Sequence, residues 1–204
     1  MSRSKVIAKA ESQIGVMESP AGSNRQLYGE AYGTNGVPWC VIFLWWVFNH
    51  AGAGAAFYGG GKTASCSALI SWGVSRGRIV DVADVAPGDI VFLCFDKSRV
   101  ASHCGLVTNV TDGQIVTVEG NTTADSGSQD NGGCVCSKVR TPAQVVRVLR
   151  PAYVPEDCLS SWAKEDIRKC VERDVMIGYP SGDFKPKQTV TREELAHILA
   201  KVIE

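Results

Sequence analysis

The 204-residue chain has no excess of either charge, since 21 lysines and arginines face 21 aspartates and glutamates. Proteins that bind nucleic acid or anionic membranes usually carry a basic face, so neither partner is expected. Splitting the chain at residue 154 leaves 13 basic and 11 acidic residues before the cut, and 8 and 10 after it, so neither part is charge-driven. Long hydrophobic runs are also missing. The nine residues from Cys40 to Phe48 are far too few to span a bilayer. The opening "MSRSKVIAKAESQIGV" lacks the apolar stretch of a signal peptide, so synthesis in the cytosol with reduced thiols is expected. There are eight cysteines but no C-x-x-C, which excludes the commonest zinc-knuckle and dithiol-redox patterns. No metal or cofactor is expected.

What is present divides the chain in two. "SKVIAKAESQIG" has helical spacing at Val6, Ala10 and Ile14, a buried helix is expected from about Cys40 to His50, and "SCSALISWGVSRG" reads as a third helix. After Gly77 the pattern changes. "GDIVFLCF", "HCGLVTNV", "QIVTVEGN", "CVCSKVR" and "VVRVLR" are short, β-branched and separated by turn signals, as in a strand meander. Helices followed by antiparallel strands indicate an α+β domain over residues 1–150. "RPAYVPEDC" reads as an exposed linker, with its boundaries set at 151–156. Residues 157–204 read as a small helical module, helix–loop–helix, near the lower size limit for independent folding.

Histidine is scarce, and its three positions are informative. His50 closes the tryptophan-rich helix, where a C-terminal cap is the ordinary role. His197 sits in the last amphipathic helix, on its surface or in its core. His103 opens a strand, and "VEGN" on the next strand places Glu119 and Asn121 on one face by strand alternation. Cys40 stands at the first turn of a buried helix, where free N–H groups and the helix dipole favour a thiolate. Each residue has an ordinary structural explanation. Together, in this order, they match a nucleophile, a base and an orienting group. The backbone N–H of Cys40 is a natural oxyanion donor; Tyr28 and Tyr32 lie upstream as candidate second donors or as packing. The turn "TDGQ" carries a further constraint. A plain two-residue Asp112–Gly113 hairpin would pair Leu106 with Glu119 and put His103 on the opposite face, so a bulge or an odd-length loop must intervene if the two are to meet.

The segments "VPWCVIFLWWVF", "APGDIVFL", "SHCGLV" and "VTVEGNT" resemble the successive motifs of the CHAP domain, the cysteine- and histidine-dependent amidohydrolases and peptidases with a papain-like fold. "AKAESQIGVMESPAGSNRQLYGEAYG" is similar to the lead-in of phage members. The resemblance implies Cys40 as nucleophile, His103 as base and Glu119 with Asn121 as orienting partners. It also implies peptidoglycan as substrate, through either an N-acetylmuramoyl-L-alanine amidase or a peptide endopeptidase reaction, in a phage endolysin released from the host cytoplasm onto the wall. Some family members bind calcium, but no convincing acidic loop is present here. A Cys–His acyltransferase and a catalytically inactive wall-binding protein are the rival readings.

"WAKEDIRKCVERDVMIGYPSGDFKPKQTVTREELAHIL" resembles the S-layer homology module in its Trp, its "GYP-x-G-x-F-x-P" loop and its "TR-x-E". The resemblance implies binding to a secondary polymer of Gram-positive walls, with Trp162, Tyr179, Arg192 and Glu194 as the wall-binding residues. Thr191 and Glu194 equally form a T-x-x-E capping box, and Trp162 and Tyr179 equally suit a small core. Because such modules usually occur in threes, a single copy is expected either to self-associate into a homo-oligomer or to dock on its own catalytic domain.

Overall fold

The structure is a computed structural model that describes residues 2–125, 127–158, 161–173, 175–176, 178–179 and 183–203. Among the described residues the α-helices are α1 (Arg3–Glu11), α2 (Leu27–Tyr32), α3 (Cys40–His50), α4 (Cys66–Ser75), α5 (Lys164–Glu172) and α6 (Arg192–Ile203). The strands are β1 (Ile79–Val80), β2 (Ile90–Leu93), β3 (His103–Thr111), β4 (Gln114–Thr122), β5 (Cys134–Arg140) and β6 (Val145–Leu149). They form one sheet in the order β1-β6-β2-β3-β4-β5, with every pair antiparallel. The architecture is α+β, as expected. The meander holds only from β2 to β5, because β6 returns across the sheet to pair with β2 and β1. Among the described residues no helix is long and apolar enough to cross a membrane.

Helix α3 is the centre of the fold. Its residues Val41, Ile42, Phe43, Leu44, Val47 and Phe48 are all fully buried, and burial of such side chains contributes roughly 1.5–3 kcal/mol each. They pack with Val6 and Ala10 of α1, Tyr28 of α2, and Ile90, Phe92, Leu106, Val118 and Leu149 on one sheet face. Val91, Leu93, Val107, Ile115, Val145 and Val148 form a second, smaller core on the opposite face. Gly120 permits the close approach of α3 to β4: a Cβ there would lie 2.6 Å from the Trp39 ring and 2.7 Å from Phe43 Cβ.

The β3–β4 hairpin meets the sequence constraint in a specific way. Its turn is the two-residue Asp112–Gly113, with φ of 51° and 73°, which suits a type I′ turn. A bulge between Val107 and Asn109 then shifts the register, so Leu106 pairs with Val118 rather than with Glu119. A one-residue slip exchanges the faces of everything beyond it. The bulge therefore returns His103 to the face of Glu119.

Two expectations need correction here. Residues 151–155 are not an exposed linker: Pro151, Tyr153, Val154 and Pro155 are buried. Tyr153 belongs to the main core, stacks on Phe48 at 5.9 Å and donates its hydroxyl to Gly88 O at 2.7 Å. Val154 belongs instead to the C-terminal core with Cys158, Ile167, Val171 and Phe184. The thiols are not all reduced either, because Cys134 and Cys136 form a disulfide. Alternate residues on a strand share a face, and their Cα atoms are 6.0 Å apart, within bridging range.

Candidate active site

The site begins at the N-terminus of α3. Trp39 takes the N-cap position but offers no side-chain hydrogen bond to the helix, so the first-turn N–H groups near Cys40 have no side-chain cap. Trp39 is itself fixed from behind. Its Nε1–H donates to Glu18 Oε1 at 2.9 Å, and the other Glu18 oxygen accepts from Asn24 N at 3.0 Å. The Cys40 side chain is thus held at the positive end of a helix whose entry is locked.

His103, the first residue of β3, is fully buried and its Nε2 lies 3.0 Å from Glu119 Oε2. Its Nδ1 has no hydrogen-bond partner. Burial alone would lower the His103 pKa, but Cys40 and Glu119 outweigh it and raise the imidazole to about 9. Cys40 is held well below the ordinary thiol range: Cys104 and Cys66 lower it most by offering S–H to the thiolate, burial opposes them, and His103 lowers it further. Both shifts act in the direction of a thiolate–imidazolium pair.

Glu119 is ionised deep in the protein. It accepts from Arg140 Nε at 2.8 Å and Nη2 at 2.5 Å, and from the Thr117 hydroxyl at 2.5 Å. Burial raises its carboxyl, while Arg140 and His103 lower it, with a net position of about 2. Arg140 in turn lies over the Phe95 ring at 4.8 Å, and Phe95 is 6.0 Å from His103. Gly105 makes room for this arrangement, because a Cβ there would meet Glu119 Cγ at 2.6 Å.

The structure joins His103 to Glu119 and sets Cys40 beside His103, while Asn121 makes no hydrogen bond to His103 and its buried Oδ1 has no partner. Asn121 has φ of 62° within a bulge between Glu119 and Thr122, which breaks the alternation used to align it with Glu119. Its Nδ2 donates to Asp130 O at 3.0 Å, an anchor for the loop after β4 rather than a contact to His103. Tyr28 is fully buried, donates to Gln13 Oε1 at 3.2 Å and packs on Trp39, Phe43 and Trp46. Tyr32 packs edge-on against Trp45. His50 stacks on Trp46, with Nδ1 2.9 Å from its carbonyl, and His197 is exposed.

Sequence reasoning missed Arg140, Thr117, Cys66 and Cys104. Thr117 was within reach, being two residues before Glu119 on the same strand face. The other three depend on which elements become neighbours, which no local pattern reveals.

In the C-terminal module Trp162 is 96% exposed, so it is not part of the small core. Tyr179 is partly exposed, lies under Lys185 Nζ at 4.8 Å and accepts from Gln188 Nε2 at 3.0 Å. Arg192 and Glu194 are exposed at the start of α6, and the capping box forms: Glu194 Oε2 accepts from Thr191 N at 2.8 Å and Thr191 Oγ1 from Glu194 N at 3.2 Å. Asp157 holds the neighbouring loop by accepting from Phe184 N at 3.1 Å and Lys185 N at 2.6 Å. Pro180, Ser181 and Gly182 of the "GYP-x-G" loop lie outside the described residues.

Comparison with known proteins finds a similarity for each of the two parts. The CHAP domain model matches residues 32–121, and the S-layer homology domain model matches residues 159–196. The chain is similar to outer membrane protein SlpA of Deinococcus radiodurans, with 33% identity over 72 residues, or 35% of this chain and 6% of that protein. It is also similar to cell surface glycoprotein 1 of Acetivibrio thermocellus, with 30% identity over 70 residues, or 34% of this chain and 3% of that protein. The chain thus spans 6% and 3% of the length of these curated relatives. Among solved structures it is similar to Ly7917, with a TM-score of 0.43 and 15% identity over 74% of this chain and 62% of that one. The structure of Ly7917 with the hydrolyzing product of MDP aligns with a TM-score of 0.45 and 15% identity, over 74% of this chain and 63% of that one.

Proposed function

We propose that the protein is a peptidoglycan hydrolase whose first domain cleaves an amide bond by thiol catalysis and whose C-terminal module holds it on the wall. The observation that carries this reading is the buried hydrogen-bonded chain His103–Glu119–Arg140 beside Cys40, whose thiol His103 acidifies at the open end of α3; Cys40, His103 and Glu119 fall within the residues that match the CHAP domain.

The chemistry follows from the protonation states. The Cys40 thiolate attacks the carbonyl carbon of the scissile amide, and the carbonyl oxygen becomes an oxyanion facing the Cys40 backbone N–H. The His103 imidazolium gives its proton to the departing amine, which leaves a thioester on Cys40. Neutral His103 then takes a proton from water as the water attacks the thioester; the acid product departs and the thiolate–imidazolium pair returns. Glu119 touches no reacting atom in this scheme. It fixes the imidazole tautomer through Nε2 and stabilises the charged ring, and Arg140 keeps it ionised.

The bond cut is either the N-acetylmuramoyl-L-alanine amide or a peptide bond of the stem or cross-bridge. Mass spectrometry of fragments released from purified walls distinguishes them by their new ends, with Cys40→Ala as the blank. Equal release by Cys40→Ala would end the hydrolase reading, and products carrying a transferred amine would replace it with acyl transfer. For the tail, no residue of α6 is buried, and Leu195, Leu199, Val202 and Ile203 are 44–83% exposed. Self-association through this face would cover it and multiply wall contacts. Light scattering that finds only monomers would remove that part.

A further inference from the structure

The thiol cluster around Cys40 has a use beyond acidifying the nucleophile. The Sγ atoms of Cys40, Cys66 and Cys104 all lie within 4.8 Å of one another. Among the described residues they are the one group of three or more histidine, cysteine or acidic side chains placed to hold a metal ion. All three are free thiols, contributed by three separate elements: Cys40 and Cys66 open α3 and α4, and Cys104 is the second residue of β3. Cys40 and Cys104 are buried, whereas Cys66 is partly exposed and gives the cluster an edge toward solvent.

We propose that Cys40, Cys66 and Cys104 form a binding site for a thiophilic divalent cation of the Zn²⁺ type, which masks the nucleophile when bound. Three sulfurs are a soft donor set, which favours zinc-like ions over calcium or magnesium. Zinc–sulfur bonds of about 2.3 Å require sulfurs about 3.8 Å apart in a tetrahedral site. From the present spacing, closure needs movements of about an ångström or less. Each cysteine binds the ion as a thiolate, any proton it carried leaves to solvent, and water takes the remaining position. With its sulfur coordinated, the negative charge of Cys40 is drawn to the cation and the approach to it is occupied, so its attack on a substrate carbonyl is suppressed. Only this last consequence rests on the nucleophile reading; the site itself does not.

Titration of the full-length, metal-free protein with Cd²⁺, followed by ultraviolet thiolate-to-metal charge transfer, tests the site, with Zn²⁺ calorimetry in parallel. The expected result is one ion per chain, a charge-transfer band, a higher melting temperature, and wall clearance that Zn²⁺ abolishes and a chelator restores. Cys66→Ser should shrink the band and weaken binding by more than about tenfold, with inhibition scored against its own metal-free rate. Cys104→Ser should do the same, and Cys94→Ser, outside the cluster, should bind as wild type. Absence of the band at stoichiometric Cd²⁺, or Cys66→Ser binding as tightly as wild type, would overturn the proposal. A full band in a protein without wall activity would leave the metal site standing and remove the hydrolase reading instead.

Discussion

Arg140→Met removes the cation that keeps a buried carboxylate charged, and its cost can be worked out from the structure. Glu119 is fully buried and receives two hydrogen bonds from the Arg140 guanidinium. Burial pushes its carboxyl up, yet Arg140 and His103 hold it at about 2 against an ordinary 4.5. The folded pKa lies below the unfolded one, so the ionised form contributes stability that is fully present above 4.5 and lost as pH falls toward 2. At about 1.4 kcal/mol per unit this difference is worth about 3 kcal/mol. Methionine fills the arginine stem but brings no charge, so Glu119 keeps only His103 and the Thr117 hydroxyl and its carboxyl rises. Breaking one partner of a buried pair costs roughly 3–5 kcal/mol, whereas removing both costs much less. Urea unfolding at neutral pH of wild type, Arg140→Met, Glu119→Gln and the double variant gives the cycle. Each single variant should be strongly destabilised, and the double should be milder than their sum by about 1–3 kcal/mol. A loss below about 1 kcal/mol for Arg140→Met, or simple additivity, would refute the reasoning.

Three further outcomes are expected. His103 is held at about 9 against an ordinary 6.5, so kcat/KM on a soluble wall fragment should stay high past neutrality and fall as pH rises through about 9; the stability this proton contributes is present below 6.5 and fades over the same interval. A descending limb centred near 6.5 would contradict that assignment. Gly105→Ala puts a Cβ 2.6 Å from Glu119 Cγ, so it should cost about 1–3 kcal/mol in unfolding experiments and lower kcat while leaving the fold intact; an unchanged kcat would mean that the carboxylate position is unimportant. A chain ending at Pro151 loses the Tyr153 stack and its hydrogen bond to Gly88, and should be about 3–5 kcal/mol less stable than one ending at Pro155; equal melting curves would show that Tyr153 is not part of the core.

Much of the fold could be read locally, because its main elements are strongly patterned. Helix α3 matches the expected Cys40–His50 range, and the strands from β2 onward appear where β-branched runs are bounded by turn residues. The short α2 and the two-residue β1 carry too little periodicity to announce themselves. Parity reasoning was informative at the hairpin, since a two-residue turn demanded a compensating shift and the bulge at Thr108 supplies one. Two residues past Glu119 the alternation is interrupted, and Asn121, with a left-handed backbone, donates its side-chain amide to Asp130 O. Arg140 meets Glu119 only because β5 pairs with β4. Cys66 and Cys104 reach Cys40 only because α4 and β3 bring their first residues to the start of α3. In each of these cases the deciding information was which element lies next to which, a long-range property that local residue patterns do not carry.

The most direct measurement is alkylation of the native protein with limiting iodoacetamide at neutral pH, with peptide mapping and wall-clearing rate followed on the same samples. Cys40 is depressed in pKa by Cys104, Cys66 and His103, while Cys66 and Cys104 are raised. A single modified peptide containing Cys40 is expected, with activity falling in proportion to its modification. Activity that survives full modification of Cys40, or that disappears while Cys40 stays unmodified and another cysteine is labelled, would contradict the assignment of Cys40 as the nucleophile.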